Sequence, residues 1–158
     1  MDIVVGAALG AGCQKALIVG DLAADGTETL REDPHFSGPA AALAAALPSV
    51  ETEWVLLLAC DLPHAGLLCD LLAGSFHHLS PGIDGLVALT DFRVQWLAGI
   101  YRRSSVETAV RDGGVLEGMS MRTLLGGLKL REVQDPEGLA HDIDTPQDLE
   151  KAIRGATE

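Results

Sequence analysis

Short apolar runs alternate with longer segments of helical periodicity along the chain. Runs rich in Val, Ile, Leu and Trp predict strands, because these side chains pack well on a pleated surface that other layers cover. Segments with apolar residues three or four positions apart predict helices. The predicted strands are Asp2–Val5, Lys15–Val19, Thr27–Arg31, Trp54–Ala59, Gly85–Leu89, Trp96–Tyr101 and Leu128–Val133. The predicted helices are Pro39–Leu47, Ala65–Phe76, Ser105–Arg111, Met121–Leu125 and Pro146–Ile153.

This alternation predicts an α/β domain with three layers, a mostly parallel sheet and helices on both of its faces. The 158 residues suit one domain with one core, and no repeat or linker divides them, so the domain is expected to span residues 1–158. Trp54–Ala59 is apolar at every position, which predicts a central strand covered on both faces.

The N-terminal region fits this scheme poorly. If Asp2–Val5 and Lys15–Val19 were parallel neighbours, residues 6–14 would have to form the crossover between them. Such a crossover takes at least about 10–12 residues, including its helix. Two interpretations remain: an antiparallel hairpin, or a sequence that lacks a segment between Val5 and Gly6.

Composition narrows the range of partners. The formal net charge of −12 would repel a nucleic-acid backbone, so binding of DNA or RNA is not expected. An acidic protein can still bind a nucleotide through backbone N–H groups and a metal ion. Cys13, Cys60 and Cys69 show no C-x-x-C spacing, which indicates reduced thiols. The longest apolar run, Trp54–Cys60, is too short to span a membrane, so a cytoplasmic protein is expected.

Asp61 is the strongest candidate for chemistry. It follows the apolar run Trp54–Cys60 and precedes Pro63, which ends the strand ladder. In open α/β sheets, ligands bind beyond the C-terminal ends of the strands. A carboxylate there is partly desolvated, and a divalent cation would relieve that cost. The alternative, that Asp61 only caps the following turn or helix, stays open.

Two further segments are candidates for ligand contacts. Ser37 is predicted to cap the helix that begins at Pro39, and Gly38 would let a ligand approach the backbone at that helix start. Asp142 and Asp144 precede the last predicted helix, and one of them could share a magnesium ion with Asp61. An ordinary capped helix is the alternative in both places.

Three arginines are candidates to meet a second substrate that carries a phosphate, with ordinary surface charge as the alternative. They are Arg102, Arg103 and Arg122.

Taken in order, six segments resemble the molybdenum cofactor guanylyltransferases, within the wider group of Rossmann-like nucleotidyltransferases. The matching segments are Ala16–Gly20, Glu32–Pro34 with Gly38-Pro39, Leu58–Pro63, Leu97–Arg103, Ser120–Leu125 and Asp142–Pro146. They run from about residue 15 to about residue 150, which is nearly the whole chain. Each segment is short, and it is their order that makes the resemblance specific.

The resemblance implies that GTP and molybdopterin-bound molybdenum cofactor react to give the guanine dinucleotide cofactor and pyrophosphate, with Mg²⁺ as cofactor. It implies no nucleic acid or membrane as partner, and it allows transient contact with the proteins that mature molybdenum enzymes. Asp61 is then the catalytic residue. By position, the implied nucleotide-binding residues are Val19, Gly20, Asp33, Gly38, Pro39 and Asp61, and the implied metal ligands are Asp61, Asp142 and Asp144.

The resemblance breaks down at the N-terminus. The family carries a Gly-rich loop directly after its first strand, and this loop wraps the triphosphate. Here Met1–Val5 looks like that strand and Gly6–Gly12 looks like the end of the helix that follows the loop. The Gly-rich segment is therefore expected to be missing between them.

Three other functions stay open. The chain could transfer a cytidylyl group to the same pterin, or it could be a phospholactate guanylyltransferase, since base selectivity near Val19, Gly20 and Asp33 cannot be read from the residues. A non-catalytic nucleotide-binding relic is the third, suggested by the expected loss of the loop.

Overall fold

A computed structural model describes residues 1–31, 33 and 37–141 of the chain. The described helices are α1 (Asp2–Gly10), α2 (Pro39–Ala46), α3 (Ala65–Phe76), α4 (Arg103–Asp112) and α5 (Met121–Leu125), with a 3₁₀ turn at Leu47–Ser49. The strands are β1 (Leu17–Val19), β2 (Glu28–Leu30), β3 (Trp54–Leu58), β4 (Gly85–Thr90), β5 (Arg93–Arg102) and β6 (Leu130–Gln134). The predicted helix Pro146–Ile153 lies outside the described residues.

The described strands form two sheets. Strands β1 and β2 pair in parallel, and the second sheet has the order β3-β5-β4-β6. In the second sheet β4 pairs in parallel with β6, while β5 runs antiparallel to both of its neighbours. Strands β3, β4 and β6 therefore run in one direction, and β5 alone opposes them. This arrangement agrees with the predicted mostly parallel sheet and adds one reversed strand.

Helices cover both faces of the four-stranded sheet. Along β4, Leu86 and Ala88 belong to one apolar cluster and Val87 belongs to another, because successive side chains point to opposite faces. The first cluster includes residues of α1 and α3, and the second includes residues of α2, α4 and α5. The predicted three-layer α/β architecture is confirmed. None of the helices in the described ranges has the length and hydrophobicity that a membrane span requires.

The predicted strand Asp2–Val5 is wrong, since these residues form the first turns of α1. The helix continues through Gly6 to Gly10, and Val4 is buried against the cluster that α3 lines. This packing outweighs the strand preference of consecutive β-branched residues. The antiparallel hairpin is wrong as well, because Asp2–Gly10 forms one helix, whereas the lack of a segment between Val5 and Gly6 stays a prediction.

The expectation that Trp54–Ala59 is a central strand is also wrong. Strand β3 lies at the edge of the four-stranded sheet, and all five of its residues are only half-buried. An unbroken apolar run shows that both faces of a strand are covered, but it carries no information about whether both edges are paired.

Candidate functional site

The C-terminal edge of the four-stranded sheet collects several polar side chains. Because β3, β4 and β6 run in the same direction, their last residues, Leu58, Thr90 and Gln134, lie at the same edge. Asp61 follows β3 there. Ligands of open α/β sheets bind at this kind of edge.

The turn after β3 holds Asp61 at the surface. The Ala59 amide donates to the Leu97 carbonyl at 2.9 Å, which extends the β3–β5 ladder by one step. Leu62 is only 3% exposed and packs into the cluster beneath α3, so it anchors the turn, while Asp61 is exposed. Within the part of the chain that the structure describes, the Asp61 carboxylate makes no hydrogen bond or ion pair. Nothing there supports the alternative that this carboxylate serves only to cap a local turn.

A free carboxylate in this position fits a magnesium ion that is shared with a phosphate. Magnesium is commonly held by one or two carboxylates, with substrate phosphates and water completing its six ligands. Among the described residues no three His, Cys, Asp or Glu side chains cluster as a preformed metal site. Asp61 is thus the described carboxylate that could hold the ion. Asp142 and Asp144 lie outside the described residues.

Val19, Gly20, Gly38 and Pro39 lie on neighbouring elements. Val19 ends β1, and Gly20 follows it with φ +136°, a conformation that strongly favours glycine. Helix α2 contacts β1, and it begins at Pro39. These four positions therefore lie on, or directly beside, two elements that are in contact.

The cap of α2 differs from the prediction. Gly38, with φ +93°, is the N-cap residue, so Ser37 lies one position too early to cap the helix. Ser37 is instead buried at 4% exposure, and its carbonyl accepts a hydrogen bond from the Gly118 amide at 3.0 Å. This hydrogen bond fixes the start of α2 against the segment that precedes α5.

Asp33 lies on a separate cavity of about 430 Å³ between α2 and the segment after α4. Ser37 and Glu117 also line this cavity, together with apolar residues. Asp61 is not among the lining residues. The structure therefore brings Asp33 to the start of α2 but does not bring it into one cavity with Asp61.

Arg102 ends β5, the reversed strand, and Arg103 follows it as the first residue of α4, so both lie at the edge opposite to Asp61. The Arg102 guanidinium pairs with Glu53 and lies 4.3 Å from the centroid of the Trp54 ring. Arg103 donates to the Val50 carbonyl at 2.8 Å. These contacts favour the alternative of ordinary surface charge for both arginines. Arg122 is an exposed residue of α5.

The β4–β5 hairpin was not predicted from the sequence, and it carries an arginine at the edge of the sheet that also carries Asp61. Asp91 and Phe92 form its two-residue turn, and Arg93 begins β5. Phe92 is 98% exposed, and Arg93 is exposed and makes no ion pair with any residue in the described ranges. The short separation of the two predicted strands was the available signal, since six residues cannot form a parallel crossover.

Asp135 ties the ends of β4 and β6 together beneath this hairpin. Its carboxylate is 3% exposed and accepts hydrogen bonds from Thr90 Oγ1 at 2.7 Å and from the amides of Leu139 and Ala140, both at 2.9 Å. Close by, His141 Nε2 lies 3.0 Å from Asp91 Oδ2. The hairpin turn is thereby linked to the segment that follows β6.

Comparison with known proteins indicates the family. The family model described as "MobA-like NTP transferase domain" matches residues 1–128. A curated relative, the "Probable molybdenum cofactor guanylyltransferase" of Synechococcus elongatus, is 57% identical over 30 residues, which are 19% of this chain and 16% of that protein. The matched part thus covers about one sixth of the relative's length.

Two solved structures share the fold. The 2-C-methyl-D-erythritol 4-phosphate cytidylyltransferase of Thermus thermophilus has a TM-score of 0.69 at 17% identity, covering 98% of this chain and 89% of that one. The molybdopterin-guanine dinucleotide biosynthesis protein A of Archaeoglobus fulgidus has a TM-score of 0.59 at 20% identity, covering 83% and 69% respectively. Both likenesses bear on the fold, which is Rossmann-like.

Proposed function

Because this chain belongs to the MobA-like NTP transferase domain family, we propose that it transfers GMP from GTP to molybdopterin-bound molybdenum cofactor. The products are the guanine dinucleotide cofactor and pyrophosphate. The observation that carries the proposal is the exposed Asp61 carboxylate at the C-terminal edge of the sheet, which pairs with no other residue that the structure describes. The guanylyl specificity is supported by the short curated match, and the substrates are part of the proposal.

For this reaction the protein mainly has to position the two substrates and to neutralise the negative charge of their phosphates. The terminal phosphate of the pterin attacks the α-phosphorus of GTP, a new P–O bond forms, and pyrophosphate leaves. Asp61 would hold magnesium, which supplies positive charge to the phosphate oxygens when it is bound. The residues of this chain hold the nucleotide: Val19 and Gly20 at the base, and Asp33, Gly38 and Pro39 at the guanosine. We further propose that residues 1–158 act as one domain and that Asp142 or Asp144 adds a second carboxylate.

Cytidylyl transfer is the second candidate, since a cytidylyltransferase shares the fold over 98% of this chain. We expect GTP with magnesium to raise Tm by about 5–10 °C at a hundredfold excess over its Kd, because binding to the folded state alone stabilises it by about 2.7 kcal/mol. The measurement is a thermal-shift titration with GTP and CTP in parallel, followed by pyrophosphate release with each nucleotide. Stabilisation by CTP alone would reject the guanylyl assignment, and stabilisation without pyrophosphate release would favour the non-catalytic nucleotide-binding role.

Alkylation of Cys60 provides an independent test of where the nucleotide binds. Cys60 is exposed directly beside Asp61, whereas burial raises the pKa of the Cys69 thiol to about 11. At pH 8, Cys69 is then about one part in a thousand thiolate, so iodoacetamide should react with Cys60 much faster. We expect GTP with magnesium to slow the labelling of Cys60 at least fivefold (roughly the occupancy effect of a ligand held well above its Kd). Mass spectrometry of the labelled peptides measures this.

Cys13, a partly exposed thiol that follows α1, serves as the internal control of that experiment. Its labelling rate should not change with nucleotide. Equal labelling of Cys60 with and without GTP and magnesium would place the nucleotide elsewhere.

A further inference from the structure

We propose that Phe92 and Arg93, at the tip of the β4–β5 hairpin, bind the acceptor substrate, a molecule that combines a planar heteroaromatic ring with a phosphate. The inference rests on the proposed function, because it assigns the surface that receives the second substrate of that reaction. Neither residue belongs to the six segments of the family resemblance or to the site residues predicted from the sequence.

The position of the hairpin supports the assignment. Strands β3 and β5 are direct neighbours, with Leu58 opposite Ala98. Strand β3 ends at Leu58, whereas β5 begins five residues before Ala98, at Arg93, so the hairpin extends past the end of β3. Asp61 lies in the turn after β3, at this same edge of the sheet. A molecule whose phosphate reacts near Asp61 can therefore extend towards the hairpin.

The backbone at the tip of the hairpin is strained at Phe92, the residue that carries the exposed ring. Asp91 has φ +48° and Phe92 has φ +62°, and these are the positive-φ residues other than glycine in the described ranges. Two-residue hairpins of this type prefer Asn-Gly or Asp-Gly, so Asp91 suits its place and Phe92 does not. A bulky residue in this conformation is a genuine outlier. The chain has a fully exposed aromatic ring at a position where glycine would adopt the positive φ with less strain. This is typical of a functional contact.

The two side chains have complementary chemistry. A Phe ring offers an apolar face on which a planar heterocycle can stack. An arginine guanidinium matches the geometry of a phosphate and stays charged at all relevant pH values. Arg93 is unpaired among the described residues, whereas Arg102 and Arg103 are held by contacts at the opposite edge. His141, 3.0 Å from Asp91, steadies the turn that carries the ring and acts as a positioning residue.

The test measures acceptor binding directly, using the fluorescence of 6-hydroxymethylpterin monophosphate as the probe. We expect Phe92→Gly to raise the Kd of the probe at least about tenfold, which is the loss of a single stacking contact. Arg93→Gln should raise it by a similar factor, and Phe92→Tyr should stay within about twofold of wild type because it keeps the ring. Phe92→Gly should also raise Tm by about 2–4 °C, since glycine relieves the positive φ.

Matched controls are Ile3→Ala, which removes another exposed apolar side chain, and Arg111→Gln, which removes an arginine that is 73% exposed on α4. Neither should change the Kd of the probe. Probe affinity that is unchanged in Phe92→Gly and Arg93→Gln, or a wild-type protein that does not bind the probe, would overturn the proposal. The GTP thermal shift is measured on the same variants and should be unaffected, so failure of the hairpin assignment and failure of the proposed function can be told apart.

Discussion

Replacing Asp61 by Asn is expected to reduce magnesium-dependent release of pyrophosphate at least about a hundredfold. Asparagine keeps the size and shape of the side chain but removes the negative charge that would hold the metal. Charge stabilisation by a bound metal is worth several kcal/mol in the transition state, and each 1.4 kcal/mol is a factor of ten in rate. The measurement is steady-state turnover with GTP, acceptor and magnesium, at saturating concentrations of all three.

The fold should tolerate this change, because the Asp61 side chain is exposed and makes no hydrogen bond or ion pair with a described residue. Its free energy of unfolding should stay within about 0.5 kcal/mol of wild type, as for surface substitutions in general. Asp70→Asn is the matched control, since Asp70 is exposed on α3 and the same charge is removed there. If Asp61→Asn retains activity within about threefold while both variants are folded, Asp61 has no part in catalysis.

Local periodicity predicted the helices and strands wherever local and tertiary preferences agree. The bounds of α3 and α5 match the predicted ones, because each presents apolar residues to one side: Leu68 and Leu72 in α3, Leu124 and Leu125 in α5. The strand prediction at the start of the chain was wrong because Ile3, Val4 and Val5 favour a strand locally. Only the packing of α1 against α3 makes them helical, and no window of a few residues contains that contact.

Strand direction was harder to predict than strand position. The pattern located β4 and β5, but the expectation of a mostly parallel sheet did not say which strand would be reversed. The two-residue turn at Asp91 and Phe92 forces β5 to reverse. That reversal places Arg102 at the edge opposite to Asp61 and Arg93 at the same edge, which the pattern could not predict.

The candidate site was predictable only in part, for a related reason. Asp61 could be found because a carboxylate after a strand is a local signal, and the structure places it at the C-terminal edge. Asp33 was implied by the family resemblance, and Gly38 by the helix predicted to begin at Pro39. Phe92 carries no recognisable motif, and its exposure and positive φ are properties of the folded hairpin.

Replacing Asp135 by Ala should have the largest effect on stability, lowering the free energy of unfolding by about 3–4 kcal/mol. The carboxylate is buried and accepts three hydrogen bonds, and its loss would leave the buried amides of Leu139 and Ala140 without an acceptor. Each such unsatisfied group costs about 1–3 kcal/mol. Thr90→Val, which removes one donor and leaves the carboxylate in place, should cost about 1 kcal/mol. Urea denaturation of both variants, with Asp70→Ala on the exposed side of α3 as control, measures these losses. An Asp135→Ala protein as stable as Asp70→Ala would show that the carboxylate does not hold the ends of β4 and β6 together.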